Sequence, residues 1–157
     1  RPVVSSAALL PIPSVEALVV RLAEGELRVL AGRTGVTTPI APRMGPLVGI
    51  TEHRGSIYCL GANGQLASFR SDGLELLAAT PVLPQASGGP VLVGSDLLCV
   101  DGSGLILRFS VTGRRRTEGA PINLGQALVR PIVSWGGGVL ILTKDQLLFI
   151  EPQGQKK

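Results

Sequence analysis

Short runs of apolar or alternating residues recur along the chain, each closed by a turn bearing Gly, Asn or Asp. Ser56 to Leu60 is one such run, Gly61 to Gly64 the turn, and Gln65 to Arg70 the run that follows. Two runs of strand length around a Gly-bearing turn predict a β-hairpin. A further apolar run, often opened by Pro, precedes each hairpin: GPLVGI from Gly45, GPVLV from Gly89 and RPIVSW from Arg130. Another short run follows, as in LELLAAT from Leu74, so each unit contains four predicted strands.

The unit repeats. GSIYCLGANGQLASFRSDG from Gly55 aligns without a gap on SDLLCVDGSGLILRFSVTG from Ser95, at an offset of 40 that matches Cys59 to Cys99, Gly64 to Gly104, Phe69 to Phe109 and Gly73 to Gly113. GVLILTKDQLLFIEPQG from Gly138 is a third copy, with Phe149 placed a further 40 residues on and a turn shorter by about two residues before it. VEALVVRLAEGELRVLAGRTG from Val15 is a fainter fourth, setting Gly25 opposite Gly64 and Leu27 opposite Leu66. The units run over about 5–44, 45–88, 89–128 and 129–154 of a single domain spanning 1–157. Units of this length with four antiparallel strands predict an all-β fold, a β-propeller of about four four-stranded blades, closed on itself or part of a larger ring. A parallel βαβ arrangement is excluded by the absence of helical spacing between the strands. Val15 to Leu30 is the most helix-like window, but Gly25 interrupts it and the repeat register makes it a hairpin.

Gly55, Tyr58, Leu60, Gly64, Leu66, Phe69 and Gly73 resemble the "G-x-x-Y-x-L-x-x-x-G-x-L" hairpin, with its following aromatic and Gly, of the pyrroloquinoline-quinone-like (PQQ-like) repeat propellers. That resemblance implies a propeller whose outer aromatic position, usually Trp, is filled here by Phe69, Phe109, Phe149 and Leu30. Enzymes of that family hold quinone and calcium with acidic, amide and basic side chains on top of the ring. No matching set occurs in this sequence, so no cofactor is expected. Four units leave ring closure open: Arg1 to Val4 could return to complete the last unit, or another segment or chain could do so.

Composition narrows the functional classes. Apolar residues make up 45% and charged residues 17%, enough to build a core, while 21 Gly and 12 Pro spread along the chain suit many short strands. Apolar stretches such as Val139 to Leu142 are far shorter than the roughly 18 residues of a spanning helix, so no transmembrane segment is expected. The net charge of +4 is scattered, and three Phe, one Tyr and one Trp are too few for stacking platforms, which argues against specific nucleic-acid binding.

Catalytic parts are missing. His53, the one histidine, stands between Glu52 and Arg54 in a turn and reads as a solvated loop residue; no nucleophile elbow or paired-carboxylate spacing accompanies it. Cys59 and Cys99 occupy equivalent repeat positions and read as reduced core thiols, with no metal-ligand spacing. Gly136 to Gly138 lacks the Lys-Ser/Thr pair and helix of a phosphate loop and reads as a turn. Arg114, Arg115 and Arg116 form the one cationic run, readable as an anion- or partner-binding grip or as an edge strand blunted by charge. Trp135 is core or an exposed contact, and with the arginines it is the candidate partner-binding surface, since both types concentrate at interface hot spots. The sequence therefore predicts a non-enzymatic protein-protein interaction or scaffold module, bound to a protein partner or to itself. The alternative is a ligand-binding or enzymatic propeller fragment completed by another segment or chain.

Overall fold

The computed structural model describes residues 10–12, 17–21, 27–31, 37–39, 47–70, 76–117, 121–126, 128 and 132–151, with backbone alone before residue 47. The described residues form four antiparallel sheets and no helix. Strands β1 (Leu10–Ile12), β2 (Ala17–Arg21), β3 (Leu27–Ala31) and β4 (Thr37–Pro39) make the first sheet. The second contains β5 (Leu47–His53), β6 (Ser56–Gly61), β7 (Gln65–Arg70) and β8 (Leu76–Pro81). The third contains β9 (Ala86–Val93), β10 (Asp96–Asp101), β11 (Leu105–Ser110) and β12 (Ile122–Asn123), and the fourth β13 (Val133–Trp135), β14 (Gly138–Leu142) and β15 (Leu147–Ile150). Within every sheet, sequence neighbours are spatial neighbours, as hairpin connections dictate. The helix-like window from Val15 to Leu30 contributes β2 and most of β3, so Gly25 and the repeat register outweigh local helix propensity. The proposed return of Arg1 to Val4 lies outside the described residues.

The ladders show why the repeat exists. Leu18 pairs with Leu30, Ile57 with Phe69 and Leu97 with Phe109 at the same ladder position in successive sheets. In the second and third sheets five residues separate the innermost hairpin pairs, Leu60 with Leu66 and Val100 with Ile106. Gly64 and Gly104 end these turns with φ of +80° and +91°, a backbone conformation that a β-carbon disfavours. A β-carbon on Gly104 would also overlap the carbonyl oxygen of Gln126.

Side chains alternate across each sheet, so the strands of the third sheet have one face toward the second sheet and one toward the fourth. Tyr58, Leu60 and Leu66 on the forward face of the second sheet pack on Leu97, Cys99, Leu107 and Phe109 of the third. On the opposite face of the third sheet, Val91, Val93, Leu98, Val100 and Ile106 pack on Val139 and Ile141, with Leu148 and Ile150 alongside. The core is thus laid down in slabs between successive sheets, with no central mass shared by all.

The fourth sheet departs from the repeat by one residue. Leu142 pairs with Leu147, leaving four residues in the turn where the other two hairpins have five. Val139 consequently pairs with Ile150, and it is Ile150 that occupies the ladder position of Phe69 and Phe109. The sequence alignment had assigned that position to Phe149. A one-residue slip moves a side chain to the other face of a sheet, and Phe149 sits opposite Leu140 on the forward face.

Candidate functional site: an open apolar sheet face

Residues 133, 135, 140, 142, 147 and 149 share the forward face of the fourth sheet, as the ladder pairs Val133 with Leu140, Leu140 with Phe149 and Leu142 with Leu147. Here the pattern of burial breaks. Val133 is 55% exposed, Trp135 64%, Leu147 68% and Phe149 43%, and Leu142 is exposed as well. The Trp135 and Phe149 rings meet edge to face, centroids 6.0 Å apart at 81°. Gly138, the ladder partner of Trp135, makes room for this pair, since a β-carbon there would come within 2.6 Å of the Phe149 ring. The T-shaped contact holds the two rings as one unit and contributes on the order of 1 kcal/mol beyond area burial. A contiguous exposed apolar face of this kind is the candidate interaction surface among the described residues.

The arginine run lies elsewhere. Arg115 bridges Phe109 on the outer edge of β11, the position that Leu76 of β8 takes beside Phe69 in the second sheet. The Arg114 carbonyl accepts the Ser110 amide at 2.7 Å, and the Arg116 amide donates to the Arg108 carbonyl at 2.8 Å. Arg116 Nε donates to Asp96 Oδ1 at 3.0 Å, an ion pair on the surface. Residues 114–116 therefore form one half of the third sheet's outer strand, and the two-residue β12 forms the other. The charged edge-strand reading fits this placement, because three exposed cations deter pairing with another strand. Arg114 to Arg116 and Trp135 thus occupy different surfaces, an edge of the third sheet and the open face of the fourth. Sequence reasoning singled out Trp135 but missed Val133, Leu142, Leu147 and Phe149 as its companions, because the repeat alignment set Phe149 on the buried side.

The remaining candidates have structural positions. Cys59 and Cys99 are free and buried, and burial pushes both thiols up, Cys99 to about 12. Thiols held protonated in this way are poor nucleophiles and metal ligands. His53 ends β5 at the tight turn of Arg54 and Gly55. Gly136 and Gly137 form the equivalent turn between β13 and β14. Asp101 Oδ1 accepts the Ser103 amide, the Ser103 hydroxyl and the Leu105 amide at 2.7 to 2.9 Å. Partial burial raises its carboxyl, but these donors and the Gly104 amide outweigh it and hold the group below the usual carboxylate value. Its role is to close the turn. Among the described residues there is no cluster of three or more His, Cys, Asp or Glu able to hold a metal, and no helix long and apolar enough to cross a membrane.

No protein-family model matches the chain, and no curated relative matches it in sequence. Solved structures do match in fold. The computationally designed Ika8 protein superposes with a TM-score of 0.67 at 12% identity, over 85% of this chain and 42% of that one. Designed Ika4 gives 0.65 at 10% identity, over 85% of both chains. PorZ of Porphyromonas gingivalis, a bacterial surface component of the type-IX secretion system, gives 0.69 at 16% identity, over 93% of this chain and 21% of PorZ. The chain therefore spans less than half the length of Ika8 and about a fifth of PorZ. With propeller-type chains among these neighbours, the architecture is all-β and propeller-like.

Proposed function

We propose that this chain is a non-catalytic protein-protein interaction and scaffold module, built from PQQ-like repeat blades of a β-propeller and binding its partner through the last sheet. The observation carrying this reading is the open face of Val133, Trp135, Leu142, Leu147 and Phe149, an apolar surface of a kind that the second and third sheets bury. Aromatic anchors at the centre of an apolar patch are what interface hot spots use. The cationic edge at Arg114 to Arg116 is a secondary surface that would steer an acidic partner. The test compares protein retained by the immobilised chain, by Trp135→Ala and by the triple alanine variant of Arg114, Arg115 and Arg116. Trp135→Ala weakens retention at least about tenfold, the arginine variant weakens it less, and equal retention by all three removes both surfaces from the proposal.

A second reading is supported by the larger size of Ika8 and PorZ: a ligand-binding or enzymatic propeller whose site is completed by further segments. A thermal shift on adding quinone, a sugar or a divalent cation would favour it over the interaction module.

A further inference from the structure

We infer that the partner on the open face is a second copy of this chain, two copies closing one ring of eight blades. This rests on the interaction reading and supplies its occupant. Two observations lead to it, the continuity of the stack and the arithmetic of closure.

The face under discussion continues an interface the chain already makes twice. The forward face of the second sheet is covered by the third, and the forward face of the third by the fourth, each time through residues on equivalent ladder positions. The fourth sheet presents the same face, with Leu140, Leu142, Leu147 and Phe149 on its two hairpin strands, and no sheet covers it among the described residues. What fits there is the preceding-side face of another sheet of the same repeat. The first sheet of a second copy meets that requirement in backbone, since its Leu18–Leu30 pair stands at the ladder position of Leu97 and Phe109, which fill this role inside the chain.

Closure fixes the number of copies. A head-to-tail contact makes a ring if the rotation closes and a filament if it does not. A ring of whole copies holds four, eight or more blades in multiples of four, and propellers run from about four to eight. Trp135 and Leu147 are 64% and 68% exposed where a closed four-bladed ring would bury them, which favours eight. The fold matches accord with this, because 85% of this chain is covered in each match, filling 85% of Ika4 and 42% of Ika8, so a similar stack occurs in one chain of this size and in another about twice as long.

The test is the solution mass of the full chain, measured by light scattering across a dilution series, with Trp135→Glu, Leu147→Glu and, as a control at an exposed residue of the second sheet, Glu52→Gln alongside. The expected wild-type mass is twice 16.3 kDa. Either glutamate reduces it to one chain with an unchanged far-UV circular dichroism spectrum, since both positions are exposed within the chain, and Glu52→Gln leaves the double mass in place. A wild-type single chain, a mass that grows without limit, or a double mass that survives both glutamates overturns the second copy. The interaction reading fails separately, when retention of other proteins is also unmoved by Trp135→Ala.

Discussion

Leu98, Val100 and Ile106 on the forward face of the third sheet are buried, whereas Leu142, Leu147 and Phe149 on the same face of the fourth are exposed. The two sheets share a hairpin ladder and an apolar composition, so neither strand propensity nor hydrophobicity distinguishes them. What differs is the neighbour: the third sheet has one on each side, the fourth on one side only among the described residues. Apolar character in the second, third and fourth sheets thus follows contact between sheets, and the fourth carries it also on a face that no described sheet covers.

The largest contrast is between two phenylalanines. Phe109 is 2% exposed in the slab between the second and third sheets, so Phe109→Ala should cost about 3–5 kcal/mol in denaturant unfolding. Phe149→Ala should cost less than about 1 kcal/mol to a single chain, losing little beyond its edge contact with Trp135. Equal losses would break the comparison. The turns give the next effect: Gly104→Ala forces both a left-handed alanine and a clash with Gln126, for more than about 2 kcal/mol, while Gly136→Ala has open space around it and should cost about 1 kcal/mol.

Thiol titration sharpens the picture further. Burial raises Cys99 from its ordinary value to about 12, so the folded chain keeps a proton that the unfolded chain releases. The stabilisation is complete below the ordinary thiol value and is lost as pH climbs from there toward about 12. Near pH 10 the loss is about 1 kcal/mol per thiol, and Cys99→Ala should flatten the slope of urea midpoint against pH above about 8.5. The smallest effect belongs to the surface. Arg116→Ala, which removes the pair with Asp96, should change stability by no more than about 0.5 kcal/mol.

Much of the fold was legible in the sequence because period-2 alternation and turn glycines report strand and hairpin directly: Cys59 and Cys99, Gly64 and Gly104, and Phe69 and Phe109 stand at equivalent points of their ladders, as the offset of 40 implied. The faint first copy was read through Gly25, and its strands pair in that register. The exposed face was only half legible. Trp135 could be picked out by residue type, but exposure depends on whether another sheet follows, which no local pattern records. Phe149 was misplaced because an alignment by residue identity favours matching aromatics, while the ladder counts residues in the turn. The arginine run read equally well as grip or guard until its backbone pairing with β11 put it on an edge.

The pair that closes the turn at 143–146 decides which side chains of β15 face outward. Because Leu147 stands opposite Leu142, the odd-numbered residues of β15 fall on the open face and the even-numbered ones on the buried face, which hands the aromatic to the outside. A residue inserted in this turn would leave Leu142 opposite Leu147 and Phe149 on the open face, whereas deleting Leu148 would carry the Phe149 ring to the inside and erase half of the aromatic pair.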